Sequence, residues 1–310
     1  MTICLGALCA GPDGREASAV VVASDRMVTL GTSGGITEFE HEVPKVTQIG
    51  DRIVALAAGD ALRGGQLINE LRRNVQPGAQ PLQDVAATAA GQYTTLRRQQ
   101  VESEILWPRG ITLEQFYQGL QQNMFPQLAI NIDNLIATFD YNLELLIAGA
   151  DDSGAHLFVI TNPGGSYNDF QPLGYAAIGS GALHALQSLI GMRQAPMHSL
   201  PETVFNVYAS KRRAEAAPGV GRETDVILIQ ADAIVHVEQS VIQRLDALYQ
   251  EYQRPLAEIG QQLNKLWLRN HEGAMGSGPP PSVRFSSPAI PLDHITWQYA
   301  MLVQPRRHSS

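Results

Sequence analysis

The sequence predicts an α/β (α+β) fold: a four-layer αββα sandwich of two antiparallel sheets flanked by helices, with a C-terminal helical extension. Three observations carry that prediction. Extended segments fall into two blocks, over residues 2–59 and 142–180, and within each block they are joined by hairpin turns. Helical periodicity fills the stretch between the blocks and the stretch after the second. Strands such as ASAVVVAS are apolar on both faces, so a sheet built from them needs cover on two sides. Alternating βα units around a parallel sheet would give a different order of elements.

The first block opens with TICLGALCA, turns through GPDG and returns as ASAVVVAS, β-branched and buried from two sides. A polar Gly/Ser/Thr-rich stretch from Thr29 to Thr37 reads as a connection. VPKVTQI and RIVALAAG make a second hairpin around Gly50-Asp51, with Pro44 marking an edge or a strand start. Asp60 is placed to cap a helix, DALRGGQLINELRR, with apolar residues at Leu62, Leu67, Ile68 and Leu71. PLQDVAATAAGQYTTLRRQQVESEIL follows with a proline at its mouth. From Trp107 to Tyr141 the pattern is less regular and includes one more helical segment, ITLEQFYQGLQQ.

The second block runs LELLIAGAD, the turn DSG, AHLFVITN, the turn PGG, then SYNDF and YAAIGSG. Two helices follow, GALHALQSLIG and SLPETVFNVYASKRRAEAA. The second has Ser199 as N-cap and Glu202 three residues on, the pattern of a capping box. TDVILIQ is one more buried strand, and a long amphipathic, Gln-rich helix runs from about Glu238 to Asn270. The chain therefore divides into a main domain over 1–231, a helical extension over 232–272, and a Gly/Pro-rich linker and tail over 273–310. The tail carries Trp297, Tyr299 and Met301, which suit docking on a surface.

Composition narrows the function classes. A hydrophobic fraction of 44% supplies a sizeable core, and a net charge of −8 is unsuited to gripping phosphate backbones, so nucleic acid is not an expected partner. Cys4 and Cys9 lie five positions apart in one strand and point to opposite faces. They cannot pair with each other there, which fits a reducing compartment. With no basic-then-apolar leader and no bilayer-length apolar run, the expectation is a cytoplasmic protein without a membrane partner. His41, His156, His184 and His198 show no H-x-x-x-H spacing and the cysteines form no C-x-x-C, so neither a metal nor any other cofactor is expected.

Six segments then invite a comparison: TICLGAL, VVVASDRMVTLG, KVTQIGDRIVALAAGD, LELLIAGADDSGAHLFVITNPGGS, YAAIGSGALHAL and TDVILI. In this order they resemble the proteasome β-subunit superfamily of N-terminal nucleophile hydrolases, and in particular its bacterial peptidase relatives. The likeness covers roughly residues 2–231, with one longer helical insertion. It implies the αββα sandwich already read from the element order.

It also implies roles. Thr2, exposed by removal of Met1, would be the nucleophile, and its own α-amine the base, since an α-amino pKa of about 7.7–8.0 lies near working pH. Lys45 matches the buried lysine that sits beside that hydroxyl, and Asp25 the carboxylate that pairs with the lysine. Gly59 matches the glycine whose N–H stabilises the oxyanion, and Ser180 the serine beside the threonine amine. Thr29 matches a position that contacts substrate backbone. One loop departs from the family: AAPGVGRETD has Ala217 and Val220 near positions where other members carry an aspartate and a serine, and Glu215 is out of register with them.

Each residue also has an ordinary reading: a frayed first residue for Thr2, a plain ion pair for Asp25 and Lys45, a strand-to-helix turn for Gly59 and a helix N-cap for Ser180. Cys4, in a buried strand with no adjacent base, is a poor rival nucleophile. The leading expectation is a threonine-type endopeptidase that cleaves peptides or unfolded proteins through an ester intermediate inside a homo-oligomeric ring. Nothing in the chain specifies an ATPase partner. The competing readings are a non-catalytic scaffold of the same fold and an amidase acting on small amides. Family scaffold subunits lack the threonine and add an N-terminal helix, whereas amidases of this kind more often begin with Ser or Cys.

Overall fold

A computed structural model describes residues 2–11, 14, 16–32, 35–42, 44–75 and 80–272. Met1, part of the GPDG turn, and the linker and tail expected over 273–310 lie outside the described residues. The fold is mixed α/β with antiparallel sheets. One five-stranded sheet has the order β10-β1-β2-β11-β12, formed by Tyr175–Ile178, Cys4–Cys9, Ala19–Asp25, Thr224–Ile229 and Ile234–His236. The other has the order β5-β6-β7-β8-β9, formed by Val46–Gly50, Ile53–Gly59, Leu143–Asp151, Gly154–Ile160 and Asn168–Asp169. Strands β3 (Met27–Thr32) and β4 (Gly35–Glu40) pair as a separate hairpin.

Period-two alternation decides which side chain faces what. Along β1, Cys4 and Leu8 join Val20 and Val22 of β2 in a cluster with Val54, Leu56, Leu146, Ala148, Leu157 and Val159 of the other sheet. Leu5, Ala7 and Cys9 of β1 point the opposite way, onto Ala185 and Leu189 of α5 (Ala182–Gly191) and Val207 and Tyr208 of α6 (Leu200–Ala214). The two cysteines thus occupy opposite faces and are both free, as the spacing required. On the second sheet, Ile53, Ala55, Leu145 and Ile147 pack against α1 (Ala61–Asn74) and α2 (Leu82–Val101) through Leu67, Leu71, Val85 and Tyr93.

At the centre of the inter-sheet cluster, Leu157 is fully buried and its Cδ1 would lie 2.9 Å from a Cβ on Gly6, so the sheets approach here to the limit a glycine allows. Leu157→Ala leaves a cavity with no neighbour free to fill it and is expected to cost about 2–5 kcal/mol, measured by urea unfolding at pH 7.

Asp60 caps α1 as expected, accepting from the N–H groups of Leu62 at 2.9 Å and Arg63 at 3.1 Å. Helix α6 departs from expectation. Ser199 has extended N-cap dihedrals, but its side chain makes no cap bond, while Glu202 leans toward His198 at 3.8 Å, so no capping box forms. The hairpin β3–β4 replaces the connection read over Thr29–Thr37: its strands, MVTLGT and GITEFE, mix Gly, Thr and Glu with apolar residues and lack the continuous apolar run of the buried strands. SYNDF contributes only the two-residue β9, and β12 and α4 (Pro126–Ala137) are additional elements. The irregular segment after α2 passes through a short helix, α3 (Leu113–Tyr117), and α4. It builds its own cluster from Val101, Leu106, Phe116, Ile132 and Ile136.

The last helix, α7, spans Gln239–Glu272. Contacts divide the chain into a unit ending at Tyr252 and a second beginning at Gln253, whose described residues continue α7. Among the described residues no helix is long and apolar enough to cross a membrane.

Candidate active site

Register places residue 2. Because β1 pairs with both β2 and β10, with Cys4 opposite Ser24 on one side and Ile178 on the other, the chain just before β1 emerges between the end of β2 and the turn after β10. Thr2 is therefore held rather than frayed, at 3% exposure. Its carbonyl accepts the Gly181 N–H at 3.2 Å, and its own N–H donates to Ser180 Oγ at 3.2 Å. Gly179 turns this corner with φ +92°, and a Cβ there would collide with the Thr2 carbonyl, so the turn is closed tightly around residue 2.

The Thr2 hydroxyl sits between two charges. It donates to Asp25 Oδ1 and accepts from Lys45 Nζ, and Lys45 also donates to Asp25 Oδ1 at 2.7 Å. Asp25 ends β2 and is fully buried, while Lys45 stands just before β5 with its side chain 15% exposed. A carboxylate so enclosed needs donors, and the backbone supplies three. Ile3 N–H reaches Oδ1 at 3.0 Å, and Met27 N–H and Gly221 N–H reach Oδ2 at 3.1 and 2.9 Å. Burial alone would raise the Asp25 pKa. The adjacent Lys45 ammonium, with the bonds from Thr2 and Gly221, outweighs it and holds the carboxyl below its ordinary value. Asp25 is thus a fixed anion, Lys45 a cation bound to it, and the hydroxyl bridges the two. That arrangement can stabilise an alkoxide on Thr2 and orient it for attack.

Of the residues singled out from the sequence, Thr2, Asp25, Lys45 and Ser180 form one hydrogen-bonded group. Ser180 also lies within 3.3 Å of the carbonyls of Thr2 and Pro218, and Gly181, not Ser180, is the N-cap of α5. Gly59 is not bonded to that group. It ends β6 with φ +109°, in contact with the Asn142 carbonyl. Two residues earlier, the Ala57 carbonyl lies 3.7 Å from Cys4 Sγ, which brings this strand end alongside β1. Thr29 pairs with Glu38 across the β3–β4 hairpin, and its side chain lies outside the described residues. Cys4 is fully buried, and burial pushes its thiol up to about 12, which leaves it inert as a nucleophile beside Thr2.

Glu144 and the backbone donors of Ile3, Met27 and Gly221 escaped sequence reasoning. Glu144 of β7 accepts the Gly179 N–H at 2.6 Å and so ties the turn around Thr2 to the opposite sheet. A lone carboxylate inside the apolar run LELLIAG was the available signal. Gly221 contributes only its N–H, and a backbone donor leaves no side-chain signature. No family model matches the chain, and no curated protein matches it.

Proposed function

We propose that the protein is a threonine-type peptidase of the proteasome β-subunit kind, with Thr2 as nucleophile once Met1 is removed. The observation that carries this reading is the Thr2 hydroxyl bonded at once to Lys45 Nζ and Asp25 Oδ1 inside a buried pocket of charge. A structural threonine at a chain end has no need of a lysine–aspartate pair that costs solvation to bury. In the mature chain the Thr2 α-amine takes the hydroxyl proton as Oγ bonds to the peptide carbonyl carbon, and returns it to the departing amine. Water then hydrolyses the ester. Lys45 stabilises the developing charge on Oγ, Asp25 holds Lys45 in place, Ser180 holds the amine, and the Gly59 N–H receives the oxyanion. Thr29 contacts the substrate backbone.

The three clusters that line both faces of the two five-stranded sheets support the four-layer αββα arrangement of that family. The family's mode of action further implies a homo-oligomeric ring that admits peptides or unfolded chains. The test is mass spectrometry of the purified protein before and after treatment with a threonine-directed β-lactone. The expected result is a mature chain beginning at Thr2 that gains one equivalent on that residue. Retention of Met1, or labelling elsewhere, overturns the proposal.

A further inference from the structure

The loop 217–223 lacks the acidic and hydroxyl side chains expected of it, yet it delivers the Gly221 N–H to Asp25. What holds it is Lys211, in the last turn of α6. Lys211 is fully buried, and its three donors are all used: Gly221 carbonyl at 2.9 Å, Arg222 carbonyl at 2.8 Å and Glu215 Oε1 at 2.8 Å. From the other side Glu40 of β4 accepts the N–H groups of Arg222 at 2.6 Å and Glu223 at 3.0 Å. Gly221 is pressed so closely between these groups that a Cβ would lie 2.7 Å from Glu40 Oε1 and 3.1 Å from the Met27 nitrogen. The peptide before Arg222 therefore has its carbonyl fixed by Lys211 while the N–H of the same Gly221 points at Asp25.

We infer that Lys211 is a positioning residue for the site: it fixes the 217–223 loop by its backbone carbonyls and thereby aims the Gly221 N–H at Asp25, in place of side chains the loop does not have. A lysine is suited to this because an ammonium offers three donors and no acceptor, which matches two carbonyls and one carboxylate. An ordinary structural ion pair with Glu215 would leave the two carbonyl bonds unexplained. Burial lowers the Lys211 pKa, Glu215 and the more distant Asp25 oppose that, and Arg212 adds to it. The ammonium is thus kept by its partners rather than by solvent. The inference rests on the peptidase reading only for its consequence in catalysis, since the geometry concerns Asp25 itself.

The experiment titrates the Asp25 carboxyl by carbon NMR in the full chain and, in parallel, measures the rate of Thr2 acylation by the β-lactone against pH. In Lys211→Met the Asp25 midpoint is expected to rise by about one pH unit. Acylation is expected to slow about tenfold, with its acidic limb displaced in the same direction. Lys211→Arg keeps the charge but not the three-donor geometry, so it is expected to shift the midpoint likewise, and it carries the test where Lys211→Met does not fold. An Asp25 titration unchanged from wild type in either folded variant overturns the inference. A shifted titration in a protein whose wild type never acylates upholds the role of Lys211 and overturns the peptidase reading instead.

Discussion

Thr2→Ala is expected to reduce peptide turnover by at least about a thousandfold, to the level of the uncatalysed background, while the fold persists. The substitution removes the oxygen proposed to attack but leaves Lys45 and Asp25 in place. Lys45 and Asp25 still hold each other at 2.7 Å, and the three backbone donors to Asp25 remain. The cost to stability is therefore that of the two hydrogen bonds the hydroxyl makes, about 1–3 kcal/mol. Cleavage of a fluorogenic peptide, with circular dichroism as the control for folding, checks both halves. Unchanged cleavage by Thr2→Ala would remove Thr2 from the chemistry. Retained activity in Thr2→Ser, which keeps hydroxyl and amine together, would support the proposed role from the other direction.

Asp25→Asn is expected to abolish turnover and to destabilise the protein by about 3–5 kcal/mol at pH 7. An amide offers one acceptor oxygen where five donors converge, and its own N–H₂ then confronts either the Thr2 and Lys45 side or the Met27 and Gly221 N–H groups. Lys45 is left without a carboxylate. The pH dependence follows from the depressed carboxyl. Because the folded Asp25 pKa lies below the unfolded value of about 3.9, its stabilisation is fully present above that value and is lost as pH falls through the folded pKa. The difference in urea midpoint between wild type and Asp25→Asn is thus expected to be constant from pH 7 to 5 and to narrow below pH 4. A difference that stays constant down to pH 3 would mean that Asp25 is not the group that titrates.

How much of this was legible in the sequence depends on whether the relevant force leaves a periodic mark. Strands β1, β2, β6, β7 and β11 could be read because a two-sided apolar environment writes runs dominated by Val, Ile, Leu and Ala. The hairpin β3–β4 could not, since its strands mix Gly, Thr and Glu with apolar residues and carry no continuous apolar run. The capping box at Ser199 was read from residue types alone, whereas Glu202 turns instead to its neighbour His198, four residues back. The side chains Thr2, Asp25, Lys45 and Ser180, which the resemblance picks out, lie in one hydrogen-bonded group. The backbone donors of Ile3, Met27 and Gly221 could not be read, because every residue but proline carries the same N–H and only the fold says which ones converge.

The site is assembled across a seam. Thr2 and Asp25 belong to one five-stranded sheet, Lys45 leads into the other, and Glu144 reaches back from that second sheet to the turn around Thr2. Ladder hydrogen bonds run within each sheet, whereas at the Thr2 end the two are joined through the side chains of Lys45 and Glu144. The Thr2–Asp25–Lys45 group is therefore a vernier for the alignment of the layers: a slide of about 1 Å between them parts Lys45 from Thr2, while every rung of both ladders stays intact. Chemistry and architecture in this molecule have separate breaking points, and the first lies at the seam.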